Sequence, residues 1–384
     1  KSEKPFFVYL AFNCPHDPLQ VADELVAPYR KKDLSPKAFP KAGFPLTQSQ
    51  PAENIAKVYA MVENIDANLG RLFKKLEERK LAENTIVIFM TDNGPAGARY
   101  NAGLRGRKGQ VYDGGIRVPF FVRWPGRLPA GARIEVPAAH IDVLPTMTAA
   151  CGVALDSKLK IDGVNLLPVL EGKSRQVPER TLFTQWHRGD VPEPYRAFAA
   201  RGPRWKLVQA AGAGPQPQRN QWKFELFDMQ DDPYEQRDVA AKHPDVVADL
   251  KQKYEAWFND VKATRNFAPP RIHVGTPHEN PTLLTRQDWR GSRAGWGVDD
   301  LGHWEVHVAK AGKYTIRLKF APRTDAGLAV IKFANIEQTV KIDARATEAV
   351  IADVDIPAGD GRLEPMIRIG ERTYGVQYAE LQRP

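Results

Sequence analysis

The sequence predicts an α/β protein: a mostly parallel sheet with flanking helices, then a small antiparallel α+β subdomain, then a C-terminal all-β sandwich. Three observations predict it. Residues 5–13 (PFFVYLAFN), 85–90 (TIVIFM) and 118–124 (VPFFVRW) are nearly continuous apolar runs of strand length, the pattern of strands buried on both faces. Residues 181–186, 198–201, 205–209 and 224–228 are short strand patterns between Gly/Pro turns, backed by one helical pattern at 244–262. From residue 285 onward, WEVHVAKAGKYTIRLKF, LAVIKFANIEQTVKI, TEAVIADVDI and LEPMIRIG alternate apolar with polar residues and show no helical period. The expected boundaries are 1–172, 173–265, a Pro-rich linker at 266–284, and 285–384.

Taken in order, residues 5–13 are expected as an interior strand ending in Cys14-Pro15-His16-Asp17-Pro18. His16 then falls just past a strand's carboxyl end, where ligands of open parallel sheets gather. Residues 21–50, rich in Pro and Lys, read as a long surface excursion. The helical pattern at 51–80 sets Ile55, Val58, Tyr59, Val62, Ile65, Leu69, Leu72, Phe73 and Leu76 on one apolar face. Pro51 and Glu53 suit its first turn, and Lys74, Lys75, Arg79 and Lys80 its last. Because it joins two strands, a right-handed crossover is expected. Residues 140–151 read as a short helix stopped by Gly152, and 244–262 as a helix burying Leu250, Tyr254 and Phe258.

Composition narrows the class. The hydrophobic share is 42% and the charged share 26%, both ordinary for a globular protein. The net charge of +9, from 55 Lys+Arg against 46 Asp+Glu, is spread along the chain, which argues against a nucleic-acid partner. Two cysteines, Cys14 and Cys151, exclude a disulfide framework and a CxxC metal motif, leaving a single bridge open. No apolar run reaches the ~18 residues of a membrane-spanning helix. The first apolar run starts at residue 5 with no leader pattern before it, so an upstream segment is expected.

Residues 91–119 (TDNGPAGARYNAGLRGRKGQVYDGGIRVP) concentrate the chemistry. Asp92-Asn93-Gly94 turns the chain just beyond the 85–90 strand and offers two hard oxygen donors. The Leu104-Arg105-Gly106-Arg107-Lys108-Gly109 loop is cationic and glycine-rich. Together they suggest a divalent metal and an anion in one pocket. On the tripeptide alone, a turn beside solvated charges is the simpler reading; the full stretch favours the pocket.

Set in order, FFVYLAFNCPHDPLQ, TDNGP, LRGRKGQVYDGGIRVPFFVRWPG, HIDVLPT and WKFELFDMQDDPYEQRDVA resemble the sulfatase family of the alkaline-phosphatase-like superfamily. The resemblance covers residues 4–262. It implies hydrolysis of sulfate monoesters of a carbohydrate or aryl alcohol, with Asp92 and Asn93 as two ligands of a catalytic calcium (Ca2+). It further implies His16 and Lys108 as catalytic groups touching the sulfate, a supporting contact from Arg105, and a periplasmic or secreted protein. The chemistry agrees, since calcium takes oxygen ligands and a fixed cation stabilises charge on departing sulfate oxygens. His16 suits either a donor to a sulfate oxygen or the acid for the leaving alcohol.

Departures from the family pattern matter as much. The family's Cys- or Ser-x-Pro-x-Arg motif, whose first residue becomes a formylglycine nucleophile, has no counterpart here. Cys14-Pro15-His16 has its proline one place early, Cys151 precedes Gly-Val-Ala, and Ser49-Gln50-Pro51-Ala52-Glu53 ends in glutamate where arginine is required. The family's upstream aspartate pair is also missing, and Arg107 and Asp113 replace a typical glycine and glutamate. The expectation is therefore the later part of a sulfatase, inactive alone, with its nucleophile upstream of this chain. Trp186 and His187 read either as sugar contacts or, more simply, as a surface turn running to Asp190. Trp289, Trp296 and Trp304 read as core residues or as stacking surfaces for a glycan. Two alternatives stay open: a phosphoester or phosphonate hydrolase of the same superfamily, and a non-catalytic remnant whose sandwich binds glycans.

Overall fold

Two helices, Asp23–Arg30 (α1) and Ala52–Glu78 (α2), pack through Val26, Leu34, Ile55, Ala56 and Ala60, with Tyr29 and Tyr59 at the edge. Arg30 ties them, its guanidinium meeting both Glu53 oxygens at 2.8 Å. These coordinates are a computed structural model describing residues 4–47, 50–189, 191–214, 222–264 and 267–384; Ser49, Asp190 and Asn266, named above, lie outside them. The supposed surface excursion at 21–50 thus contains a docked helix, because Val26 of DELVAPYR finds an apolar wall on α2. On α2 itself burial is concentrated in the first half, and Val62 and Leu72 of the predicted face are exposed.

The strands Val87–Met90 (β1) and Phe120–Arg123 (β2) pair antiparallel, Met90 opposite Phe120 and Val87 opposite Arg123. Both are half-buried rather than fully buried, with Phe121 largely exposed. Ile88, Val122 and Trp124 share an apolar cavity wall with Met147 and Leu167, which come from Val143–Ala150 (α4) and Leu167–Leu170 (α5). Between β1 and β2, Asp113–Ile116 forms one helical turn (α3). Gly152, at φ +67°, stops α4 as expected.

Residues 5–13 are the main correction. They form no strand, and Phe7 and Tyr9 are 83% and 84% exposed. An apolar run becomes a strand only where a neighbour accepts its backbone hydrogen bonds, and no described strand pairs with this one. The crossover expected through α2 is therefore not formed.

The strands Leu182–Gln185 (β3), Phe198–Arg201 (β4), Trp205–Gln209 (β5) and Glu225–Asp228 (β6) make a four-stranded antiparallel meander. Its alternation serves two faces. Phe198 faces the helix Pro244–Thr264 (α6), its ring 4.3 Å from that of Tyr254, while Ala199, Val208 and Phe227 cluster with Val111 and Tyr112 of the 91–119 stretch. Residues up to 266 accordingly form one compact unit, Lys1–Asn266, and Phe267–Pro384 form a second.

The second unit holds two sheets. One orders Glu348–Ile356 (β13), Gly312–Lys319 (β10), Tyr378–Gln382 (β16) and Thr282–Thr285 (β8). The other orders Ile336–Ile342 (β12), Gly327–Phe333 (β11), Gly359–Ile369 (β14), Trp304–Val308 (β9) and Ile272–Val274 (β7), with Arg372–Tyr374 (β15) pairing β14. Inward residues of both, including Leu284, Ile316, Trp304 and Ile331, form one continuous core. The expected linker is thus partly strand, since β7 and β8 complete sheet edges. Trp304 and Trp289 are core, their rings 5.1 Å apart, whereas Trp296 is 70% exposed. Cys14 and Cys151 are both free thiols.

Candidate functional site

The 91–119 stretch folds back on its own turn. Gly94 N–H donates to the Gly115 carbonyl at 2.9 Å, and Lys108 N–H donates to the Pro95 carbonyl at 3.0 Å. The cationic loop is thereby held beside Asp92-Asn93. Contact is close enough to require glycine: a Cβ on Gly94 would collide with the Gly114 carbonyl oxygen, and one on Gly114 with the Arg105 and Gly106 carbonyls. We expect Gly94→Ala to force this turn open and cost about 1–3 kcal/mol, read as a lowered thermal midpoint.

Asp92 and Lys108 are exposed and Asn93 is half-buried. Among the described residues none of the three side chains has a hydrogen-bond or ion-pair partner. An acceptor pair and a cation are left free on two segments that backbone hydrogen bonds join. Two other polar side chains of the loop are tied down: Asn101 donates to the Leu104 and Gly106 carbonyls, both at 3.0 Å, and Gln110 accepts from Arg107 N–H at 3.1 Å.

His16 is not brought to this cluster by any contact. It is exposed, its backbone N–H donates to the Asn13 carbonyl, and its Nδ1 lies 2.7 Å from the Asp17 carbonyl oxygen. The link between its loop and the 91–119 stretch is electrostatic: Asp17 acts on Arg99, whose guanidinium burial pushes below its ordinary range and whose Nε lacks a partner.

Arg105 is pinned rather than free. It donates to the Glu235 carbonyl at 3.0 Å and to Glu225 Oε1 at 3.2 Å, and stacks 3.9 Å from the Tyr112 ring centre. Tyr112 in turn donates to the other Glu225 oxygen, and burial with that carboxylate pushes its hydroxyl well above the usual phenol range. Asp113 closes the loop from the far side. Its backbone N–H donates to Glu235 Oε2 at 2.8 Å, while fully buried Lys206 reaches both Asp113 and Glu235 at 2.6 Å. Burial pushes the Glu235 carboxyl up, with Lys206 pulling it partly back. Trp186 follows β3 and lies against the same loop, where a Cβ on Gly109 would stand 3.6 Å from its ring. His187 accepts from Glu193 N–H at 3.0 Å, which orients it within its own turn.

Among the described residues there is no cluster of three or more His, Cys, Asp or Glu able to hold a metal. Asp92 and Asn93 nevertheless present two oxygen donors with one negative charge and no competing protein partner, the kind of donor a hard cation takes.

Comparison with known proteins gives this loop its context. A sulfatase family model matches residues 1–153, and a model of the C-terminal part of N-sulphoglucosamine sulphohydrolase matches 107–260. The chain belongs to the sulfatase family. Mouse (Mus musculus) steryl-sulfatase is 30% identical over 273 residues, 63% of this chain and 43% of that protein. A sulfatase of Formosa agariphila is 28% identical over 296 residues, 71% of this chain and 48% of that one. The crystal structure of Ps i-CgsB in complex with k-i-k-neocarrahexaose matches with a TM-score of 0.53 and 28% identity, over 67% of this chain and 50% of that chain. The chain spans about half the length of these relatives or less. The fold class is the alkaline-phosphatase-like α/β class of sulfatases.

Four residues that fasten this loop from elsewhere in the chain lie beyond sequence reasoning: Lys206, Glu225, Glu235 and His140. The first three act at separations of 93 to 130 residues from their partners, with only the DDPYEQRD string as a signal. His140, in HIDVLPT, donates from Nε2 to the Thr91 carbonyl at 2.8 Å, one residue from Asp92.

Proposed function

We propose that these residues serve a sulfuric ester hydrolase acting on sulfated carbohydrate. The observation that carries the reading is that Asp92, Asn93 and Lys108 have no side-chain partner among the described residues and lie on segments joined by the Gly94–Gly115 and Lys108–Pro95 hydrogen bonds. Family membership supports it, and the saccharide bound to i-CgsB favours a carbohydrate over an aryl substrate.

In this reading Lys108 Nζ holds sulfate oxygens as a point charge, which gains strength as negative charge moves outward during S–O cleavage. Hydrolysis breaks the bond from sulfur to the ester oxygen and in net replaces it with one to an oxygen from water, leaving inorganic sulfate and an alcohol whose oxygen gains a proton. The family resemblance would give His16 the part of supplying that proton or a hydrogen bond to sulfate. Asp92 and Asn93 would supply two of the oxygen ligands of a calcium ion, which would neutralise sulfate charge; calcium takes about 6–8 oxygens, so other ligands would have to complete the site. Arg105, tied to Glu225 and Glu235, positions the loop and does not touch substrate. A formylglycine nucleophile is expected by family resemblance, and neither Cys14 nor Cys151 has the sequence context for it. The 384-residue chain alone is therefore expected to be inactive, and an exported protein fits the family.

The test is sulfate release from a carrageenan-type oligosaccharide by the protein containing these residues together with its nucleophile. Lys108→Ala is expected to lower kcat by about 10²–10³. Full activity in that variant, or phosphate release in preference to sulfate release, would overturn the reading.

A further inference from the structure

The small subdomain carries an aromatic surface that its core does not use. Phe198, Phe227 and Tyr254 are wholly buried, whereas Trp186 is 43% exposed. Its position is fixed: Trp186 N–H donates to the Ala197 carbonyl at 2.9 Å, extending the β3–β4 ladder one step. The six-membered ring rests against Gly109, where the added Cβ would lie 3.6 and 3.7 Å from its Cζ3 and Cη2. Gly109 has φ +82° and no side chain, so nothing from that residue covers the indole.

One cation stands over the ring and another is near it in the chain: the Arg188 guanidinium lies 5.9 Å from the Trp186 ring centre, and Lys108 immediately precedes Gly109 in the loop. Arg188 is exposed, its backbone N–H held by the Ala213 carbonyl at 3.1 Å, and among the described residues it has no carboxylate partner. A half-exposed indole near two cations that have no carboxylate partner among the described residues suits a pyranose ring carrying more than one anionic group. The apolar C–H face of a sugar stacks on an aromatic ring, and arginine binds an oxyanion through two parallel N–H donors.

The geometry points to a subsite in which Trp186 stacks the sugar ring and Arg188 binds a second sulfate, while Lys108 takes the first. The substrate class is therefore a saccharide sulfated at more than one position. This rests on the hydrolase reading only for the role of Lys108; the Trp186–Arg188 subsite is testable by binding alone.

Calorimetric titration of the protein with neocarrabiose-type disaccharides carrying two sulfates or one provides the test. The disulfated form should bind about tenfold more tightly to the native protein. Arg188→Ala should remove that preference and leave the monosulfated form within twofold. Trp186→Ala should weaken both forms about tenfold, and Trp186→Phe should restore most of the loss. Equal binding of the two forms by the native protein, unchanged binding in both variants, or no binding at all would overturn the subsite. Sulfate release from the same disaccharides by the protein that includes its nucleophile, assayed in parallel, separates the two readings. Release with variant-insensitive binding removes the subsite and keeps the hydrolase; variant-sensitive binding without release does the reverse.

Discussion

Lys206→Met is expected to destabilise the Lys1–Asn266 unit by about 3–5 kcal/mol, since it leaves Asp113 and Glu235 facing each other without their shared cation. Lys206 has no exposed surface, so water cannot replace the ammonium group. Hydrogen exchange at β3–β6 amides would report the loss, with core amides of residues 267–384 as internal reference. The triple variant Lys206→Met/Asp113→Asn/Glu235→Gln should recover most of it, because the charges to be compensated are gone. The pH dependence has a definite sign. Burial already raises the Glu235 carboxyl, and removing Lys206 raises it further. A carboxyl raised in the fold contributes stability below its unfolded value, about 4.3, that is lost as pH rises through the folded value. The gap between variant and native protein should therefore narrow on acidification. A gap independent of pH would show that the three groups do not act as one charge cluster.

Asp142→Ala should cost the same unit a comparable ~3–5 kcal/mol. Asp142 is completely buried and binds Arg180 through both oxygens, at 2.5 and 2.6 Å. It also accepts from Ala139 N–H at 2.8 Å and Val164 N–H at 2.9 Å. Burial alone would raise its carboxyl, but Arg180 and the two backbone donors outweigh this and hold it below the usual range. The contribution is thus present above the unfolded value, about 3.9, and lost as pH falls through the lower folded value. Stability measured against pH should show a shallower acid limb in the variant. An acid limb identical to the native one would mean that Asp142 titrates alike in both states.

Local pattern made some of this architecture readable and left the rest hidden. α2 and α6 announce themselves because three- and four-residue spacing is a property of one segment. β4 and β5 were readable to the residue because Gly202-Pro203 and the flanking turns bracket them. Residues 5–13 carry the composition of an interior strand, but pairing belongs to the neighbour as much as to the run, and composition does not reveal the neighbour. The Asp92-Asn93 turn and the Lys108 loop could be seen in sequence as one chemical stretch. Their fastening could not: Lys206, Glu225 and Glu235 look like ordinary charges on short strands and a turn until the sheet lays them against Val111 and Tyr112. Trp289 and Trp296 stand seven residues apart with similar surroundings in sequence, yet one is core and the other exposed.

Glu235 sits at φ +60° and grips the loop at two places, its carbonyl holding Arg105 and its carboxylate holding the Asp113 amide. One residue thus sets the chord across the arc from Arg105 to Asp113 that bears Lys108. The arc and the meander below it are a single inheritable part: a chimera that exchanges 173–264 for another family member's segment must carry 105–116 with it, or Lys108 will be displaced even where every residue of the arc is native.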